Sequence, residues 1–259
     1  MIVEPKREIL LGPLLRTGVL RAWVARDHLV RLGVVPAVAM VAILAPLQRL
    51  MNVMLMAGPE KSAEVDPSLS LKILLLILAY GVALNSFAVN WLRQLTLGQG
   101  GAPGLGIGFS RRHFRFLLLN VALSILTGII GIVLVLILSP IGIAGAMAGL
   151  MATILIWAAL MVRLSPSWIG IALDAPMPLR VAWRRTAGSG FKLLVAVLAI
   201  EVPLLFVQQL IGGLFEAAGL LDVAPLTFIL FTAVMQLIGT ALQLGILVTA
   251  FPHFLRETV

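Results

Sequence analysis

Six apolar stretches, each long enough to carry an α-helix through the core of a bilayer, constrain this chain more than any other feature. A crossing takes about 20 helical residues, and the stretches centre on residues 29–56, 71–95, 114–138, 141–162, 191–217 and 226–251. Hydrocarbon offers no water to backbone N–H and C=O groups, so each stretch must satisfy them internally, which a helix does. The expectation is an all-α integral membrane fold with six transmembrane helices over residues 29–259, behind a leader of residues 1–28. Composition agrees: 61% of the residues are hydrophobic, 12% are charged and the mean hydropathy is +1.10, far from the usual globular balance. Pro46 and Arg49 near the end of the first stretch predict a kink and an early exit there. With no cysteine in the chain, disulfides, thiolate metal centres and cysteine nucleophiles are excluded together.

Charge then orients the stretches. Lysine and arginine are retained on the cytoplasmic side of a membrane, and of the 19 in this chain all but Arg49, Lys61 and Lys72 lie in the leader, in or beside the second and fourth connectors, or in the tail. The opposite connectors carry Glu60, Glu64, Asp66, Glu216 and Asp222. Both termini are therefore expected in the cytoplasm, which an even number of spans allows. The same bias accounts for a sequence pI near 11.3, so no nucleic-acid partner is expected. The start "KREILLGPLL" has no small-residue cleavage site after it and is broken by Pro13, which predicts an interfacial leader followed by an uncleaved first span.

The segment from Arg163 to Lys192 interrupts the apolar second half with arginines. From Leu179, helical spacing puts Leu179, Ala182, Trp183, Thr186 and Ala187 on one side and Arg180, Arg184 and Arg185 on the other. Pro178 suits the helix start, and Gly188 with Gly190 its end. An interfacial helix over about 177–188 is predicted, lying flat on the membrane with Trp183 at headgroup depth and Arg180, Arg184 and Arg185 toward anionic lipid. "LRAWVARDHLVRL" from Leu20 and "SRRHFRF" from Ser110 are weaker copies, the second adding Arg111, Arg112 and Arg115 to the headgroup-binding set. They suggest three helical hairpins, each preceded by an interfacial amphipathic helix, although the leader's arginines do not form one stripe.

"RLSPSWIGIALDAPMPLRVAWRRTAGSGFKLL" from Arg163, "AVNWLRQLTLGQ" from Ala88 and "FSRRHFRFLL" from Phe109 resemble segments of bacterial six-span proteins grouped with the glycerophosphoryl diester phosphodiesterase membrane domain and the YciC-like membrane proteins. The resemblance covers most of the chain and rests on topology motifs. It implies a bacterial inner-membrane protein of a group with uncharacterised function, in which an Arg-Leu-Ser stretch ends the fourth span and a surface helix precedes the fifth. The phosphodiesterase label belongs to a separate barrel domain. Where resembling sequences carry a histidine and an acid, this chain has Leu92 and Gln99, so the resemblance brings no catalytic residue.

Other motifs have plain explanations. "GQGGAPGLGIG" from Gly98 lacks the Gly-Lys-Ser/Thr of a phosphate loop and reads as a connector. His28, His113 and His253 are scattered without metal-ligand spacing, so no metal and no cofactor is expected, and no serine or threonine sits in a nucleophile setting. Gly142, Gly145, Ala146 and Gly149 place small residues at helical spacing, which lets helices approach closely in lipid, either spans three and four of one chain or two chains.

The most constrained polar position is Glu201, nine residues beyond Lys192, about 13 Å along a helix and near mid-membrane. Helical spacing puts Gln208 on its face, while Gln236, Thr240 and Gln243 form a stripe on the sixth span, with Asn85 at similar depth. These define an intramembrane polar seam, as structural glue or as a proton or cation site. Three functions are carried: a non-enzymatic membrane protein acting through anionic lipid on its cytoplasmic side or through a membrane-protein partner or self-association; a small-solute or proton-coupled transporter using the seam; and a membrane-embedded lipid enzyme, the least supported.

Overall fold

The computed structural model describes residues 9–61, 67–98 and 108–255, with side chains described for these apart from 51–61, 67 and 222. The described residues are mostly helical, with no strand among them. In order they are α1 (Leu11–Val24), α2 (Arg26–Lys61), α3 (Pro67–Leu97), α4 (Arg111–Leu138), α5 (Ile143–Ala172), α6 (Leu179–Arg185), α7 (Gly190–Ala217), α8 (Leu220–Val223) and α9 (Pro225–Leu255). Six of these are long and apolar enough to span: Arg26–Leu50, Ser68–Leu97, Arg111–Ile141, Ile143–Ala172, Gly190–Ala217 and Pro225–Leu255. The chain is an all-α, multi-pass membrane protein.

Two compact units divide it. One comprises Met1–Trp23, Ser110–Ala199 and Gln243–Val259, the other Val24–Phe109 and Ile200–Leu242. In the first unit α4 and α5 form a hairpin through a 3-10 turn at Ser139–Ile141, reversed at Gly142 with φ +89°. The leader joins this unit as a helix. Pro13 falls in the first turn of α1, where its missing N–H has no intrahelical partner to lose. Leu14, Gly18 and Ala22, spaced by four, are the buried stripe of α1. Gly18 lies so close to Ile246 that an added Cβ would fall 2.7 Å from its Cα, and a Cβ on Gly245 would fall 2.6 Å from the Gly18 carbonyl oxygen. The leader is thus a small-residue ridge against the end of α9, and its burial owes nothing to an arginine stripe.

Three sequence expectations change. Arg163 was expected to leave the fourth span near residue 162, with a connector following. Instead α5 continues to Ala172 with Pro166 inside it. Proline withholds the N–H that would bond the Val162 carbonyl, and the Ser165 hydroxyl supplies the replacement, donating to that oxygen at 2.8 Å. Second, "SRRHFRF" is not a separate elbow helix, because Arg111–Phe116 are the first turns of α4 itself. There the Ser110 N–H donates to His113 Nδ1 at 3.3 Å, which closes a capping box. Third, α2 continues as a helix past Pro46 and Arg49 as far as Lys61, while its apolar part ends at Leu50.

Candidate functional site

Two polar regions stand out, one in each unit. In the first, α5 ends in a Schellman motif. The Ala175 N–H bonds the Gly170 carbonyl at 2.8 Å and the Asp174 N–H bonds that of Ile171 at 3.3 Å. Asp174 takes the left-handed position usually filled by glycine, with φ 60°, a conformation that a short polar side chain tolerates. Its carboxylate accepts a 2.7 Å charge-assisted bond from Arg112 Nη1. The chain then doubles back. A Cβ on Gly170 would meet the Met177 nitrogen at 3.1 Å, while the Thr186 hydroxyl sits 3.0 Å from the Arg163 carbonyl oxygen. So α6 runs antiparallel beside the last turns of α5.

Arg163 is the clamp of this elbow. Its guanidinium carbon lies 4.2 Å from the Trp183 ring centroid, a cation–π distance. Its stem lies against Gly190, where a Cβ would come within 2.5 Å of Cδ. Sequence reasoning placed Arg163 in a connector and gave it no role, because only the doubled-back path of α6 brings Trp183 to it. Of the expected headgroup-binding residues, Arg112 is held by Asp174, and Arg185 donates from Nη1 to the Phe254 carbonyl at 2.8 Å, capping the last turn of α9. Arg111, Arg115, Arg180 and Arg184 are exposed, as is Trp183 at 44%.

The small-residue cluster resolves unevenly. A Cβ on Gly145 would collide with the Leu138 carbonyl oxygen, and one on Gly149 would meet the Val135 backbone at 3.1 Å. Both close the α4–α5 hairpin within one chain. Gly142 has nothing within 4 Å and serves the turn, and Ala146 is only partly buried, so neither is a packing position of the first rank. At Gly131, which the sequence did not single out, an added Cβ would fall 2.7 Å from Thr153 Cγ2.

The second unit holds the seam. Here α7 and α9 run antiparallel: a Cβ on Gly239 would lie 3.2 Å from Glu201 Oε1, and one on Gly212 would lie 3.4 Å from the Phe228 ring. Midway between these two contacts, Gln208 and Thr232 occupy the facing stripes, and the Thr232 hydroxyl is buried without a hydrogen-bond partner. Thr240 donates to the Gln236 carbonyl at 2.8 Å, and the Gln236 side chain is exposed. Gln243 belongs to the other unit.

Helix α3 fixes depth on the far side of α9. Trp91, fully buried, donates from Nε1 to the Ala241 carbonyl at 3.0 Å. One residue earlier, Asn90 is also fully buried and by this register is level with Thr240 and Gly239. Asn85, buried at 7% exposure, returns its Nδ2 to the Gly81 carbonyl at 2.7 Å. It lies about one turn from Glu201's level, whereas Asn90 lies within about a residue of it, which depth counting from the connectors did not find. Ser86, level with Gln236 by the same register, accepts the Gly108 N–H at 2.7 Å, so the end of the glycine-rich connector returns some 16 Å along α3 from Leu97. The remainder of that connector, 99–107, lies outside the described residues.

Among the described residues no three of histidine, aspartate and glutamate converge as metal ligands. His113 is committed to its capping box, as above. No family model, curated protein or solved structure matches this chain.

Proposed function

We propose that this multi-pass protein resides in a bacterial inner membrane with both termini cytoplasmic, and that its basic elbow engages anionic lipid headgroups. In this reading it acts through lipid or a membrane-protein partner and turns over no substrate. The supporting observation is the division of labour at the elbow. Arg163, Arg185 and Thr186 brace α6 from within the chain, which leaves Arg180 and Arg184 exposed beside a half-exposed Trp183. An exposed basic residue near an anionic leaflet contributes roughly 1 kcal/mol of attraction. The one-sided distribution of lysine and arginine supports the orientation, and the resemblance to the phosphodiesterase membrane-domain and YciC-like group supports the bacterial inner membrane.

The test is lipid preference. In nanodiscs, the protein is expected to melt at a higher temperature in phosphatidylglycerol than in phosphatidylcholine. The double variant Arg180→Gln, Arg184→Gln is expected to lose most of that difference, while Arg185→Gln, which removes a bond to Phe254, lowers the melt in both lipids alike. A double variant with the full preference intact would refute a headgroup role for α6. Because the chain has no cysteine, Arg184→Cys alone also reports sidedness: an impermeant maleimide is expected to label it in inverted vesicles and not in intact cells, and the opposite pattern overturns the orientation.

A further inference from the structure

We propose that the elbow holds one phosphate group, seated between the Arg163 guanidinium and the first turn of α7 and supplied by a phospholipid headgroup or by a free phosphate ion. The headgroup reading concerns diffuse attraction by Arg180 and Arg184. This site is one-to-one, and it rests on that reading only for the elbow's place at the membrane surface.

Charge sets the problem. From Arg163 to Lys192 the chain carries five basic residues and one acid, Asp174, and that acid is engaged by Arg112. Arg163 forms no ion pair among the described residues. The Trp183 ring attracts its guanidinium from 4.2 Å but has no charge to balance it. Of the guanidinium N–H groups only Nη2 has an acceptor among the described residues, the Trp183 carbonyl at 3.4 Å, which is longer than an ordinary hydrogen bond. Nε is buried with no partner.

The fold puts this cation against a second positive end. A Cβ on Gly190, the first residue of α7, would fall 3.4 Å from Nη1 and 3.5 Å from Nε. The start of a 28-residue helix carries a partial positive charge that acidic side chains stabilise, yet the first turn of α7 has no acid and includes Lys192. The Phe191 N–H, one residue on, has no acceptor among the described residues. All of these groups belong to the first unit.

A separate observation calls for an acceptor at the same place. Ser167 lies one turn along α5 from Arg163 on the same face, is 1% exposed, and its hydroxyl has no partner. Helical side chains lean toward the start of their helix, which directs this hydroxyl back to the level of Arg163. Buried donors without acceptors cost free energy until an acceptor reaches them.

A phosphate answers each of these demands. A planar guanidinium takes two of its oxygens in parallel, and helix N-termini bind phosphate through backbone N–H groups. Arg163 is only partly buried, so the site opens to the headgroup layer. The single negative charge of a phosphodiester matches the one guanidinium, and its oxygens serve Nη1 and the Phe191 N–H on the outer side and Ser167 behind.

The experiment uses the full chain in a nonionic detergent. Native mass spectrometry counts bound dioctanoyl phosphatidylglycerol, with dioctanoyl phosphatidylcholine as a second phosphodiester and dioctanoylglycerol as the control without phosphate. Melting in inorganic phosphate, against chloride at equal ionic strength, tests the free ion. If a lipid supplies the group, one molecule of either phospholipid is expected to stay bound and dioctanoylglycerol is not; if the free ion does, the melt rises in phosphate over chloride. In the arm that responds, Arg163→Lys keeps the charge, loses the fork and is expected to weaken binding about tenfold, with Ser167→Ala and Phe191→Pro each weakening it severalfold. Those two remove donors that bond nothing among the described residues, and proline is tolerated in a first helical turn. Both are therefore expected to melt like the parent without ligand, which keeps the test decisive should Arg163→Lys loosen the elbow. A protein with no preference for anionic lipid fails the headgroup reading and still passes here if phosphatidylcholine binds. No response in any arm, dioctanoylglycerol bound as well as the phospholipids, or a response that Ser167→Ala and Phe191→Pro both leave unchanged, overturns the proposal.

Discussion

The α4–α5 hairpin and the α7–α9 pair are both antiparallel helix pairs that approach over glycines, yet the glycines do different things. In the first, Gly145 and Gly149 abut backbone, the Leu138 carbonyl and Val135. The hydroxyls there are spent on their own helices: Thr127 donates to the Leu123 carbonyl at 2.6 Å and Thr153 to that of Gly149 at 2.8 Å. In the second, Gly239 abuts the end of a flexible acidic side chain, and a hydroxyl is left unbonded at Thr232. A glycine against backbone closes a contact, whereas a glycine against a carboxylate keeps a space. The same residue type therefore marks rigidity in one place and accommodation in the other.

That comparison can be broken most forcefully at Gly145. Gly145→Ala forces a methyl onto the Leu138 carbonyl and must open the hairpin turn, at a cost on the order of 3 kcal/mol, read as a fall in the melting temperature in detergent or as lost yield. Gly239→Ala meets only the ends of two side chains, Glu201 Oε1 at 3.2 Å and Leu204 Cδ1 at 3.4 Å, and is expected to cost less than about 1 kcal/mol while displacing Glu201. Equal losses from the two changes would show that Gly239 is another closed contact.

The hydroxyls sharpen the contrast at a smaller scale. Ser165→Ala strips the bond that replaces the one Pro166 withholds, leaving the Val162 carbonyl buried and unpaired, which costs about 1–3 kcal/mol in the same melting measurement. Thr232→Val removes no bond from the protein, so its melting temperature is expected to stay within the small range of a neutral substitution, about 0.5 kcal/mol. A large loss at Thr232 would place its hydroxyl in the packing of the pair.

The sequence made the spans legible because apolar runs of this length have no other stable form in hydrocarbon. It misled at their ends. Arg163, Ser165 and Pro166 read as an exit from the fourth span, since proline and a cation both oppose a buried helix. The exit is averted by contacts that no linear pattern shows, the Ser165 hydroxyl on Val162 and the Arg163 guanidinium over Trp183. At the seam, Glu201 announced itself as the lone acid in mid-span. Gly239 did not, because which of the glycines on α9 meets the carboxylate depends on the antiparallel register. Asn90 was passed over for Asn85 for the same reason: depth counted from a connector drifts when helices overrun the apolar stretch, and α3 extends past its expected limits at both ends.

The seating of α1 against the end of α9 has a consequence for how the protein is made. Gly18 must meet Gly245 and Ile246, so α1 waits for a helix synthesised more than two hundred residues later. Local hairpins such as α4–α5 can close as they leave the ribosome, but the first unit, assembled from three separated segments, cannot be finished until α9 has been made. During that interval the ridge of Leu14, Gly18 and Ala22 has no native partner, and the membrane surface or a chaperone must shelter it.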